Sequence, residues 1–249
     1  EDSYMSGVMA REAVVGAAKK GMYGFIKHFA LNDQENHRIG ICTWSNEQAI
    51  REIYLRPFKM AVEGGTVTTK YYESGKDANG KTSYTLKEAQ TPACIAIMSS
   101  FNRIGYTWAG GDYRLITQVL RNEWGFNGMV ETDYSQGGTG YMHTEQMLRA
   151  GADVQLSQQQ ASYAIKNDTM VYYTKQAMKH VLYCVGNSNA MNGYVHGVVV
   201  GAEPFAYYYL ILIAVGVIAR GLSAWGGIAI WQRWKAELSE GKEPVEKAE

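Results

Sequence analysis

Short apolar runs alternate with longer amphipathic stretches along the first 195 or so residues. Four runs read as buried strands: Tyr23–Phe29, Ala93–Ser100, Gly128–Asp133 and Ala152–Leu156. Each follows a helical stretch and ends in polar residues, the pattern of an α/β protein with parallel strands. Ser45-Asn46-Glu47-Gln48 reads as a capping box, the Ser45 oxygen accepting a backbone N–H while Gln48 reaches back. The helix it opens places Ala49, Ile50, Ile53, Tyr54, Phe58, Ala61 and Val62 on one broad face and stops at Gly64-Gly65, with a kink or break at Pro57. A second helix is expected from Asp112 to Trp124, with Ile116, Val119 and Leu120 inward and Gly125 as its stop. Residues 66–92 are mostly polar and rich in Lys and Tyr, which predicts a hairpin or excursion between two of the repeating units.

The pattern then changes. Pro204 to Ala219 carries no charge, and after Arg220 the chain is again uncharged from Gly221 to Gln232. A spanning helix needs about 20 apolar residues, and this stretch supplies them with one interruption. Tyr207-Tyr208-Tyr209 at one end, and Trp231 with Trp234 at the other, fit aromatic belts at two interfaces. Arg233 and Lys235 flank the C-terminal side and Glu203 the other. The positive-inside rule then leaves residues 1–200 outside the cell and the C-terminus in the cytoplasm. Against this stands a buried C-terminal helix, which Arg220 favours because a mid-span charge is costly unless it snorkels.

Charge adds little: 24 basic residues balance 24 acidic ones, so no field selects nucleic acid as a partner. Aromatics at 12%, with 18 Tyr and 6 Trp, suit sugar stacking or a membrane interface. Cys42, Cys94 and Cys184 are odd in number and without metal-ligand spacing, and are expected as buried thiols rather than structural disulfides. His37, His143, His180 and His196 show no ligand spacing either, so neither a metal nor a cofactor is expected. The chain begins at Glu1 with no signal-like apolar segment behind it, which suits a mature form or a piece of a longer chain. Asn167-Asp168-Thr169 satisfies a glycosylation sequon.

Four motifs carry a resemblance. Lys27-His-Phe-Ala-Leu-Asn-Asp-Gln-Glu35 with Arg38 is similar to the fifth-strand motif of glycoside hydrolase family 3. Ser45 to Phe58 resembles the helix after it, Met98-Ser-Ser-Phe-Asn-Arg103 resembles strand six, and Leu120 to Tyr134 resembles the approach to strand seven. The resemblance covers about residues 5–160. It implies a partial (β/α)8 TIM-like barrel, about strands 5 to 8, followed by a C-terminal transmembrane helix. Residues 1–195 would be the partial barrel, with 66–92 inserted; 196–235 would be the membrane segment with its flanks; 236–249 would be a charged cytoplasmic tail. The bilayer is expected to contact about 204–232.

The resemblance also assigns roles. Asp133, in Thr132-Asp133-Tyr134, matches the family's nucleophile, and an Asp at a strand end suits a carboxylate beside an oxocarbenium-like transition state. Lys27, His28 and Arg38 match positions that hydrogen-bond the sugar hydroxyls; the plainer alternative for Arg38 is a salt bridge to Glu35. Met98 and Phe101 match the pocket wall, Phe101 standing where many relatives have Tyr. Tyr134 either packs beside the sugar or belongs to the core. Glu131 is given no acid role, and Asp153, in the family's Gly-Ala-Asp of strand eight, reads as structural.

The function implied is hydrolysis of terminal β-D-glucosyl or related residues from a β-glucoside or oligosaccharide by retaining double displacement. The stretch after Lys27-His28-Phe29 lacks the Pro-Gly-His-Gly run of the family's N-acetylhexosaminidases, while a β-xylosidase stays open. A whole barrel needs about 250 residues, so half of one is expected here. The other half, and the domain carrying the general acid, would lie upstream in a longer parent, and the chain alone would be inactive or weak. The alternative is a membrane-tethered, catalytically inactive carbohydrate-binding protein.

Overall fold

A computed structural model describes residues 2–135, 140–157, 167–188 and 207–239. The chain divides into two units, 1–196 and 197–249, taken separately below.

The first unit opens with helix α1, Ser3–Ala18, whose first backbone N–H groups are capped by the Asp2 carboxylate. Strand β1, Ile26–Phe29, follows, and then the two-residue strand β2, Cys42–Thr43. The expected helix after Ser45 forms in three pieces: α2, Glu47–Ala49; a π-wound turn, Ile50–Tyr54; and α3, Arg56–Val62. The capping box does not form. Asn46, not Ser45, caps the helix by accepting from the Ala49 N–H, and Gln48 reaches forward to Glu52. Asn and Ser are about equal as caps, so spacing alone could not choose between neighbours. Pro57 lies in the first turn of α3, where its missing N–H costs nothing. It starts a helix rather than kinking one. The π-turn, closed by the Leu55 N–H on the Ile50 carbonyl at 2.8 Å, shifts the phase. Ile53, expected inward, is therefore exposed and Leu55 is buried.

Residues 66–92 fold as an antiparallel hairpin of β3, Thr66–Lys76, and β4, Thr82–Pro92. The Asp77 carboxylate holds its turn by accepting from the Asn79 and Lys81 N–H groups, and Gly80 takes the positive φ of 77° that the reversal requires. Strand β5, Ala96–Ser99, comes next. After it, β6, Arg103–Ile104, and β7, Thr107–Trp108, join β2 in a small sheet that the periodicity did not predict. The second expected helix is present as Arg114–Glu123. Its closing Trp124 N–H on the Val119 carbonyl is again a π-type bond, and Gly125 follows with φ 69°. Strand β8, Met129–Glu131, helix α4, Thr144–Ala150, and helix α5, Asp168–Asn187, complete the unit.

The main sheet runs β1-β5-β8, all parallel, and Val154 extends it by a parallel bridge to Glu131. On its helix-covered face Phe29, Ile97 and Val130 are wholly buried with Ile116 and Leu120. Phe29 meets Phe58 edge-on at 5.1 Å and Trp124 at 5.9 Å. The opposite face carries Met98 beside Glu131, paired across β5 and β8. Among the described residues β1 has a neighbour only on its β5 side. Cys94 and Cys184 are buried thiols, whereas Cys42 is exposed on β2, contrary to expectation.

The second unit is one described helix, α6, Tyr208–Ser239, of 32 residues. Its apolar side chains, Leu210 to Ile213 among them, are exposed. Glu203, Pro204 and the tail from residue 240 lie outside the described residues, as do His196 and residues 189–195.

Candidate active site

Parallel strands deliver side chains to the edge where they end, since successive residues alternate faces and the last ones project into the loops. Here β1, β5 and β8 end together. They bring Lys27 and His28, Met98, and, two residues past β8, Asp133 to one edge.

Asp133 is 8% exposed. One oxygen, Oδ1, accepts from the Tyr134 N–H at 2.7 Å, which fixes the carboxylate's orientation. The other, Oδ2, has no hydrogen-bond donor among the described residues. The His28 Nε2 stands 3.3 Å from it, in contact but not aligned as a hydrogen bond. A buried oxygen left without a donor is costly in a folded chain and calls for an explanation. Oδ2 is thus a buried carboxylate oxygen without a described donor, beside the His28 ring.

Burial is the largest influence on the His28 imidazole and pushes its pKa below the ordinary 6.5. Lys27 and Arg38 push the same way, while Asp133 and Glu35 oppose them. The ring is thereby held neutral near pH 7, an N–H donor rather than a fixed cation.

Arg38 makes the salt bridge to Glu35 that was the plainer of its two readings. Its Nη1 pairs with Glu35 at 3.0 Å, and its guanidinium lies 4.6 Å above the Phe101 ring. Phe101 is therefore a floor under Arg38, itself 5% exposed. Tyr134 is half-buried and packs against the core cluster. Lys27 is exposed and, with His28 and Asn32, lines a cavity of about 420 Å³ against α1. Asp133 does not line that cavity; the contact between His28 and Asp133 joins the two regions.

One feature escaped the sequence reading. Tyr141 donates its hydroxyl to the Phe101 carbonyl at 2.8 Å, and Arg103 lies 4.1 Å over its ring. Burial raises the phenol's pKa, with Arg103 opposing and Asp133 adding to the rise. No period or motif marks Tyr141 in the sequence. Glu131, given no acid role above, ends β8, and burial raises its carboxyl pKa.

Beneath the edge, Asp153 anchors β8. Its Oδ2 accepts from the Val130 N–H at 2.7 Å and pairs with Arg121 at 2.7 Å, while Oδ1 meets His180 Nδ1 at 2.7 Å. Arg121 also donates to the Gly128 and Gly151 carbonyls. Gly128 admits no side chain, because a Cβ there would lie 2.1 Å from the Ile95 carbonyl oxygen. The loops beyond β1 and β5 are lashed together by Ser100 Oγ donating to the Ala30 carbonyl at 3.0 Å and Trp108 Nε1 donating to the Ser100 carbonyl at 2.9 Å.

Residues 84–182 match the glycosyl hydrolase family 3 N terminal domain. Beta-glucosidase B of Emericella nidulans is 31% identical over 156 residues, which are 63% of this chain and 15% of that protein. A beta-glucosidase of Ruminococcus albus is 30% identical over 134 residues, 54% of this chain and 11% of that one. Beta-glucosidase 3B of Thermotoga neapolitana has a similar solved structure, with TM-score 0.56 and 26% identity over 78% of this chain and 25% of that one. It has been seen in complex with glucose. The chain thus spans a small part of the length of the relatives it resembles.

Proposed function

We propose that this chain, similar over residues 84–182 to the glycosyl hydrolase family 3 N terminal domain and to beta-glucosidases over part of their length, carries the nucleophile side of a retaining β-glucosidase site. The observation that carries the reading is the Asp133 carboxylate: one oxygen oriented by the Tyr134 N–H, the other without a described donor beside His28. That second oxygen attacks the anomeric carbon of a β-glucosyl residue as the aglycone departs. Water then attacks the resulting glycosyl ester, so configuration is inverted twice and retained overall. His28, Lys27 and Arg38 donate to the sugar hydroxyls, and such bonds strengthen as positive charge develops on the ring. Met98 and Phe101 form walls of the pocket. The leaving oxygen of an ordinary glucoside needs a proton, and a general acid contributed from outside these residues supplies it, together with the rest of the barrel.

The same reading includes a tether. Helix α6 at 1.5 Å per residue is about 48 Å long, beyond the roughly 30 Å of a bilayer's hydrocarbon core. Its C-terminal end carries Arg233 and Lys235, with the Lys235 Nζ 4.1 Å over the Trp231 ring, an arrangement suited to a headgroup layer. In this reading the glycosidase unit faces the exterior and α6 crosses the membrane.

Proton NMR of the first sugar released from 2,4-dinitrophenyl β-glucoside tests the chemistry, since that leaving group needs little help from an acid. The β anomer is expected first, and Asp133→Asn is expected to cut turnover by about 10⁴-fold or more. An α first product, or turnover that survives the substitution, contradicts the proposal. Binding without turnover points to the inactive carbohydrate-binding alternative.

A further inference from the structure

The membrane reading of α6 leaves one residue unaccounted for. Arg220 divides the uncharged stretch from Pro204 to Gln232. It lies 13 residues from Tyr207 and 13 from Arg233 in the sequence, about 20 Å along the helix in either direction. An arginine placed near an interface reaches the headgroups by extending its side chain. From the centre, about 15 Å from either face of the hydrocarbon core, it does not. A guanidinium there requires a counter-charge or a polar path.

This chain offers no counter-charge at that depth. No Asp or Glu occurs between Pro204 and Ala236, so a second copy laid alongside would set arginine against arginine. The helix surface around Arg220 bears on what approaches it. Side chains three, four and seven positions away share its face: Ile213, Gly216 and Val217 before it, Ser223, Ala224 and Gly227 after it. Four of these six are small. Cβ atoms built at Gly216 and Gly227 meet nothing within 4 Å, and the Ser223 hydroxyl is turned back to the Ala219 carbonyl at 2.9 Å. The bulky residues Ile218, Leu222 and Trp225 lie round on other faces. One stripe thus combines a central cation with a surface low enough for close backbone approach.

We propose that α6 pairs, through the stripe centred on Arg220, with a transmembrane helix of another protein that carries an aspartate or glutamate at mid-depth. This rests on the membrane reading above. In lipid the two apolar surfaces have no hydrophobic reason to associate, so the charge pair selects the partner while the small residues permit contact. The bidentate fit of a guanidinium to a carboxylate sets the register between the helices. The glycosidase unit would thereby be held in a membrane assembly rather than tethered alone.

The test uses the whole chain reconstituted into phosphatidylcholine vesicles. Flotation and resistance to alkaline carbonate first establish insertion. A donor dye on the chain then reports, by energy transfer, on synthetic Leu/Ala transmembrane peptides bearing an acceptor and either one central Asp or Leu in its place. The Asp peptide is expected to associate at least tenfold more tightly than the Leu peptide. Arg220→Leu is expected to abolish that preference, and Arg220→Asp to transfer it to a peptide with a central Arg. Equal association of the Asp and Leu peptides with inserted protein, or a preference that survives Arg220→Leu, overturns the pairing and leaves the membrane span standing. A chain that fails to float or is stripped by carbonate overturns both. Energy transfer between copies that exceeds transfer to the Asp peptide assigns the stripe to self-association and overturns the proposal.

Discussion

At the scale of single residues the account turns on two neighbours, Asp133 and His28. The imidazole pKa is depressed in the fold, chiefly by burial. An unfolded chain therefore binds a proton at His28 more readily than the folded one does. The neutral ring's contribution to stability is complete above the ordinary value of 6.5 and is lost as pH falls through the lower folded value. His28→Gln should flatten the pH dependence of unfolding in that acid window and leave the alkaline side unchanged, as denaturant titrations at stepped pH would show. A variant whose pH dependence matches that of the unsubstituted chain contradicts this placement of His28. The placement of Lys27, His28 and Asp133 at one strand-end edge was legible in the sequence from the apolar runs that carry them. The contact of Arg38 with the Phe101 ring was not, because a stacked pair 63 positions apart leaves no local period. Tyr141 stayed hidden for the same reason.

At the scale of elements, parallel strands and both principal helices were readable from apolar spacing, and their boundaries were less so. The π-turns at Ile50–Tyr54 and in Arg114–Glu123 shift the phase that a 3.6-residue period assumes, which is how Ile53 came to face solvent. The small sheet of β2, β6 and β7 was invisible because two-residue strands carry no alternation to detect. Asp153 gives this scale its prediction. Its side chain is 1% exposed and partners Arg121 at 10%, so removing the carboxylate strands a buried guanidinium and frees the Val130 N–H. Asp153→Ala should cost about 3–5 kcal/mol, a large part of the 5–15 kcal/mol typical of a folded domain. Chemical unfolding followed by circular dichroism in detergent would measure it. A loss below about 1 kcal/mol would show that the network does not anchor β8.

At the scale of the whole molecule, the described residues present three paired parallel strands and a bridge, within a unit similar to solved relatives at TM-score 0.56. Similarity to those relatives covers a modest share of their length. On the reading proposed above, Asp133 and part of the sugar-binding group fold together while the acid chemistry is assigned elsewhere, a division that makes the two steps separable by experiment. A fluorine at the sugar's second carbon slows both displacements, and a fluoride or dinitrophenolate leaving group restores the first without an acid. The glycosyl ester then accumulates. Intact-mass and peptide analysis after incubation with 2-deoxy-2-fluoro-β-glucosyl fluoride is therefore the most direct test of the central claim. The account predicts one fluoroglucosyl adduct, located on Asp133 and absent from Asp133→Asn. No adduct, or an adduct that persists in that variant, contradicts it.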